Sequence, residues 1–563
     1  MSSAVTTTIY RADTVFTGRA GNPLAEAVAV RDGRVLAVGS ADEVAAAAGA
    51  EASIVDLGNV FVAPGFVESH THMLMLGQAV EKVQLRDCES VAEIQSRLRA
   101  ARDANPEARQ ILGISWRFEA LAGADPTAAM LDEAVVDVPV VLDANDLHSA
   151  WVNSAALDAI GITDETPDPI GGEIRRDAQG KATGFLLETA AMQHAWPYIE
   201  ESATEADRDR YLQNAFRAYI ETGVTTATEM ALNEADLAAF ERMLDRDGRL
   251  PFAMTAHVIL QPSGAPGTDR AQVERAAEWR DRLAARCEGQ DSAGTLRIAG
   301  VKFILDGVID ACTAAMRAPY ANGSNAEPIW PREDAIAAAV AADSLGLQLA
   351  IHAIGDAASE LALELVEACE RENGPRADRR PRIEHLESVT SETIHNMARL
   401  GITASMQPVH CDPAIMDNWL AMLGDERAER GFPWHEFRNA GVHMALGTDA
   451  PTAPHEAPHN LFIAMTARSV LERDRRAYAP ERVFTPADAL EAMTYGGAWA
   501  TRAEEEVGAL VPGALANFVV LDANPLADAP EALLDTKVRL TVVEGRCVTR
   551  RGMGFRLSAP TGR

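Results

Sequence analysis

Eight short apolar runs recur through the middle of the chain, each followed by a segment of helical character. The runs occupy residues 60–67, 223–229, 252–260, 298–305, 347–352, 382–385, 402–406 and 442–447. Strands separated by helices pair in parallel, because each helical crossover returns the chain to the same end of the sheet. Eight such units in succession predict an α/β fold, a (β/α)8 TIM-like barrel. Helical periodicity between runs is clearest over 234–244 and 357–370. The two ends of the chain read differently. Asp32-Gly33 between 27–30 and 35–38, and Glu544-Gly545 between 538–543 and 546–549, are hairpin signals, and 517–521 reads as a further strand. Residues 1–62 and 506–563 are therefore expected to build one small composite β-sandwich domain, with the barrel over 63–505. The stretch from about 80 to about 208 is too long for one crossover. It is expected to be an insertion between barrel strands one and two, with a strand at 139–142, a helix at 150–157 and a Gly171-Gly172 turn.

The chain has 563 residues and a formal net charge of −32. That surplus repels phosphate backbones and anionic lipid, so neither nucleic acid nor a membrane is an expected partner. A small-molecule substrate fits better. The six cysteines include no C-x-x-C pair, which fits reduced thiols and a cytoplasmic location. The first eleven residues lack a basic start followed by an apolar stretch, so no signal peptide is expected. The longest apolar stretch, 335–354, is broken by Asp343, Ser344 and His352, so no bilayer span is expected.

Five strand ends carry ionisable residues. His70 and His72 end the first strand, two apart and so on one face. Lys302 lies in strand four, His352 ends strand five, His385 ends strand six and Asp449 ends strand eight. The C-terminal strand ends of such a barrel converge on one site. Four imidazoles and a carboxylate there match the donor needs of a divalent metal. A lone strand histidine is usually a hydrogen-bonded core residue, but this many unpaired polar groups would be costly to bury. Lys302 has two readings: a salt bridge to Asp306 or Asp449, or a carbamate formed with CO2 that bridges two metal ions. His455 to His459 literally matches H-E-x-x-H, but Pro454 and Pro458 break the helix that zinc proteases need, so a rim loop is expected instead.

The residues Pro64-Gly65-Phe66 through His72, Leu147 through Asn153, and Gly171 through Ile174 resemble the amidohydrolase superfamily. So do the Lys302 strand through Asp306-Gly307, Pro319-Tyr320, His352 through Asp356, Arg382–His385, 447–449, Leu510 through Gly513 and Phe518 through Asp522. The branch most resembled contains N-substituted formamide deformylases. The resemblance implies that His70, His72 and Asp449 hold a buried metal and that His352 and His385 hold a more exposed one. Lys302, if carboxylated, would bridge them; a free Lys302 would go with a single metal. Zinc is the default, with manganese, iron or cobalt as substitutes. Hydroxide between the metals would be the nucleophile, with Asp449 taking its proton and passing it to the leaving nitrogen.

His148, Trp116, Gln407 and His410 are candidate substrate contacts, and Glu188 a weaker one. His148 is equally a structural histidine at the 150–157 helix, and an aromatic in an insertion, as Trp116 is, is more often a packing residue. The chain departs from the branch at 308–313, where Asp310 and Cys312 stand, and at Ala514 and Asn517. The expected reaction is hydrolysis of a non-peptide C–N bond in an N-substituted formamide, an amide or a cyclic imide. An esterase, lactonase or aryl-amide hydrolase on the same centre is the alternative, and a non-catalytic protein of this fold a third reading. A homodimer is the expected assembly.

Overall fold

The computed structural model describes residues 7–144, 149–169, 172–287 and 294–550. Two compact units are present: Leu74–Ala215, and a larger unit formed by the chain on either side of it.

The larger unit contains β1 (Phe66–Thr71), β2 (Val224–Leu232), β3 (Ala253–Ile259), β4 (Leu296–Ile304), β5 (Gln348–Ala353), β6 (Arg382–His385), β7 (Thr403–Met406) and β8 (Met444–Leu446). They form one eight-stranded parallel sheet in sequence order. The ring closes through a parallel bridge between Thr71 and Ala450. There the Asp449 amide donates to His70 O at 2.8 Å and the His72 amide to Ala450 O at 3.1 Å. Every residue of β1 is buried, as in a barrel strand covered on both faces.

The run at 60–67 is not one strand, which corrects the sequence reading. Phe61–Pro64 joins the sheet built from the chain ends, and Phe66–Thr71 joins the barrel. Gly65 is the switch: its amide donates to Asn517 O, and the next amide, of Phe66, donates to Gly223 O, both at 3.0 Å. The backbone passes so close to Thr225 that a Cβ at Gly65 would lie 2.1 Å from its Oγ1.

Outer helices follow the strands. Glu234–Asp247 is capped by Asn233, whose side chain accepts from the Asp236 amide, and ends at left-handed Gly248. Its Leu237, Phe240 and Leu244 recur at helical spacing and are buried. Each such side chain contributes about 1.5–3 kcal/mol of burial energy.

Strands from both chain ends form one eight-stranded sheet. In it Ala25–Arg31 pairs with Arg34–Gly39, and Val538–Val543 with Arg546–Arg550. Both turns place two residues at positive φ, Asp32 and Gly33 in one, Glu544 and Gly545 in the other, as a type I′ hairpin requires. Tyr10, Val28, Val62, Phe518, Val520 and Leu540 form the core beside it. Asn517 fastens the second turn, its Oδ1 accepting from the Glu544 amide at 2.7 Å.

Residues 74–215 hold a six-stranded sheet in the order Gly172–Arg176, Ala182–Glu188, Ser149–Val152, Val140–Ala144, Ile111–Trp116, Val83–Gln84. The expected helix at 150–157 is in fact a strand, Ser149–Val152, then a helix, Ser154–Ile160. Asn153 divides them. It is fully buried, caps the helix through the Ala156 amide and donates to Val135 O and Val138 O. Gly171 of the expected turn lies outside the described residues.

Candidate metal centre

The strand alternation of β1 sets Glu68, His70 and His72 on one face. Glu68 accepts from the amides of His70 and Thr448, at 3.0 and 2.8 Å, and from the Thr448 hydroxyl at 2.9 Å. Burial nevertheless pushes its carboxyl up to about 7. His70 is 1% exposed, and its Nδ1 lies 2.8 Å from Glu384 Oε2. Burial opposes ionisation of Glu384, but the Arg382 guanidinium and then His70 hold its carboxyl well below the ordinary range. Arg382 grips both Glu384 oxygens and also donates to Ser69 O and Ser405 Oγ. An ionised carboxylate only accepts, so the His70 proton sits on Nδ1 and the lone pair on Nε2. Burial, then the charge of Lys302, brings His70 down to about 4, which keeps the ring neutral at pH 7.

That lone pair faces Asp449. Asp449 Oδ1 lies 3.4 Å from His70 Nε2 and 3.1 Å from His72 Nε2. It is buried yet makes no aligned hydrogen bond. Two acceptors, the His70 lone pair and the Asp449 carboxylate, face each other at 3.4 Å, an arrangement that suits a shared cation. The ligand atoms of His70, His72 and Asp449 lie within 4.8 Å of one another. Burial disfavours a charged His72, but its contacts to Asp449 and Glu229 win and raise it to about 9 without metal. Asp449 itself is held well below the usual carboxylate range; burial works against this, and His70 and His72 outweigh it.

His385, at φ 76°, ends β6 beside this trio, its ring 4.9 Å from that of His70 and 4.3 Å from that of His352. Its Nδ1 is buried with no hydrogen-bond partner. The ligand atoms of His385, Glu387 and His410 form a second group within 4.8 Å. His410 Nδ1 lies 2.9 Å from Glu387 Oε1, and its Nε2 lies 3.6 Å from Asp449 Oδ2. His352 belongs to neither group: its Nε2 faces Gly307 O at 3.3 Å and Asp306 Oδ1 at 3.4 Å. Burial, then Lys302, pushes His352 down to about 3. Lys302 is 2% exposed, with Nζ 3.5 Å from His70 Nε2, and burial lowers it to about 8. Asp306 is committed elsewhere, accepting from the amides of Ala315, Ile354 and Gly355 at 2.9, 3.0 and 2.8 Å.

The remaining candidates separate. Trp116 is a core residue of the smaller unit, as the packing reading has it. Its ring is fully buried against Trp151 and Phe185, and its Nε1 donates to Leu142 O at 3.1 Å. His148 and the Glu188 side chain lie outside what the structure describes. Asp310 accepts from Asn418 at 3.1 Å, and Cys312 Sγ lies 3.1 Å from Met422 Sδ. The helix Ala457–Thr466 starts beyond His455, so the two histidines of H-E-x-x-H do not share it. Glu384, Glu387 and Glu229 were absent from the sequence reading as site residues. Glu384 precedes His385 in β6 and Glu229 lies at the mouth end of β2, so their strand positions were the available signal. A cavity of about 610 Å3 lined by Arg34, Arg249, Cys287 and Glu544 holds none of these donors.

A closed parallel barrel with imidazoles and a carboxylate gathered at its C-terminal strand ends places the protein among the metal-dependent hydrolase barrels. More particularly, the chain belongs to the amidohydrolase family, whose model matches residues 53–549. It is 31% identical to Protein LONG AFTER FAR-RED 3 of Arabidopsis thaliana over 91% of this chain and 86% of the relative. It is 29% identical to an N-substituted formamide deformylase of Arthrobacter pascens over 93% of this chain and 95% of the relative. Among solved structures, an uncharacterized metal-dependent hydrolase from Pyrococcus furiosus matches with a TM-score of 0.73 and 26% identity, over 92% of this chain and all of that one.

Proposed function

We propose that the protein is a metal-dependent hydrolase of a non-peptide C–N bond, acting on an N-substituted formamide, an amide or a cyclic imide. The observation that carries this reading is the buried Asp449 Oδ1, with no aligned hydrogen bond and two imidazole nitrogens turned toward it. His70, His72 and Asp449 would hold one cation. His352 and His385 would serve a second, bridged by Lys302 as a carbamate. Reaction with CO2 needs the neutral amine, and burial of Lys302, which lowers it to about 8, supplies a share of that form. Zinc suits such a nitrogen-rich set. The bound metal would supply Lewis acidity at the carbonyl and bring the pKa of water to about 7.

The chain's own residues carry the proton. Asp449, kept ionised, accepts it from the attacking water and passes it to the leaving nitrogen. Glu384 fixes the His70 tautomer throughout. The C–N preference rests on the likeness to the formamide deformylase. The reading carries a small-molecule substrate, no nucleic-acid or membrane partner, a cytoplasmic setting and a homodimer.

The test is metal quantification per chain together with a substrate panel of formamides, amides, cyclic imides and lactones. Bound divalent metal and C–N hydrolysis abolished by Asp449→Ala are expected. Full-rate hydrolysis by metal-free protein would sink the reading, and a preference for lactones over every C–N substrate would move the bond from nitrogen to oxygen.

A further inference from the structure

Gln407 is 2% exposed and leaves both its Nε2 and its Oε1 buried without a hydrogen-bond partner. No other carboxamide among the described residues does so. A buried amide with neither atom bonded is unfavourable, so its persistence calls for a ligand.

Its place in the barrel says which. Ser405 pairs across to Glu384 and Ala445, and its hydroxyl accepts from Arg382 inside the barrel. Gln407 follows β7 with an extended backbone, so the alternation carries it to the face of Ser405, one layer nearer the mouth. The ladder continues beside it, the Gly447 amide donating to Met406 O at 3.0 Å. Three residues on, His410 Nε2 reaches within 3.6 Å of Asp449 Oδ2. Gln407 therefore faces the barrel interior nearer the mouth than Ser405 and belongs to neither donor group.

We propose that Gln407 reads the cis-amide edge of a cyclic imide. Its Oε1 accepts from the ring N–H, and its Nε2 donates to one adjoining carbonyl, so one substrate edge satisfies both orphaned atoms. The second imide carbonyl stays free for hydrolysis. There water adds to the carbon, the C–N bond breaks and the nitrogen takes up a proton, leaving a carboxylic acid and a primary amide. An acyclic secondary amide prefers trans, with N–H and C=O on opposite edges, and a lactone has no N–H. Neither offers this pair of groups. The assignment rests on the hydrolase reading above.

The experiment compares metal-loaded wild type and Gln407→Leu on glutarimide, N-methylglutarimide and the six-membered lactone, with thermal melts of both proteins. For Gln407→Leu we expect kcat/KM on glutarimide to fall about 100-fold, the loss expected when the substrate's N–H and carbonyl are left unpaired. The other two substrates are expected to stay within about threefold, and Tm to hold or rise, since two unpaired groups leave the interior. Equal losses on all substrates, or a Tm several degrees lower, overturn the assignment in favour of a structural glutamine. Wild type that hydrolyses formamides but no imide overturns it while leaving the hydrolase reading intact. Wild type that hydrolyses nothing on the wider panel overturns both.

Discussion

At the scale of single residues, the centre depends on groups that stand behind the donor atoms. Glu384 holds the His70 tautomer and is itself gripped by Arg382. Glu384→Gln removes the charge that both partners need. Metal affinity is expected to fall about 10- to 100-fold in a competition titration, as for other carboxylate partners of ligating histidines. Stability should drop by about 3–5 kcal/mol, because Arg382 stays buried without its counter-ion. Unchanged affinity would show that His70 needs no anchor. Asp449→Asn keeps the shape and loses the base, so turnover should fall about 10²- to 10⁴-fold at saturating metal; wild-type turnover would exclude Asp449 as the proton carrier. His257 gives a pH signature from a group that is not itself a metal donor. Burial and then Arg382 lower it to about 3, while its Nε2 faces Gln348 Oε1 at 3.0 Å. The unfolded chain protonates a histidine near pH 6.5 and the folded one does not, so the contribution is complete above about 6.5 and is lost as pH falls toward 3. Denaturant unfolding of metal-free protein at pH 7.5 and 5 should show a smaller acid loss in His257→Gln than in wild type. The carboxylates were the illegible part of the site in sequence. Glu384 and Glu387 look like ordinary acids at and beyond a strand end until His70 across the barrel and the loop after β7 are brought to them.

At the scale of elements, the junctions decide more than the strands. Gly65 lets one chain leave the terminal sheet and enter the barrel within a single residue. Gly65→Ala drives a Cβ into Thr225, with expected destabilisation of about 1–3 kcal/mol by denaturant titration. A neutral effect would mean that β2 yields freely there. The apolar run across that glycine reads as one strand because hydrophobicity does not break where hydrogen-bond partners change. The segment at 150–157 fails for a related reason. Ala150 and Trp151 suit helix or strand equally, and the buried Asn153 sets the boundary through bonds to distant carbonyls.

For the whole molecule, no described helix is long and apolar enough to cross a membrane. The net charge of −32 sits beside a centre rich in nitrogen donors, so bound cations bind into an already negative field. Chelation should lower Tm in a metal-dependent way. A free metal concentration 1,000 times Kd stabilises by about 4 kcal/mol, measurable as a Tm that climbs with added metal. A Tm indifferent to chelator would show that the site holds nothing.

Periodicity and turn chemistry are local, so the chain's own pattern announced the strand–helix alternation, the two hairpins and the ionisable residues along the strands. Which of those ends meet is a matter of register and closure, set by pairing between strands far apart in the chain. The bridge between Thr71 and Ala450 brings Asp449 to His70 and His72. The turn after β6 sets His385 with Glu387 and His410. The packing around β7 leaves Gln407 without a partner. Those outcomes depend on distances between segments far apart in the chain, which no local pattern encodes.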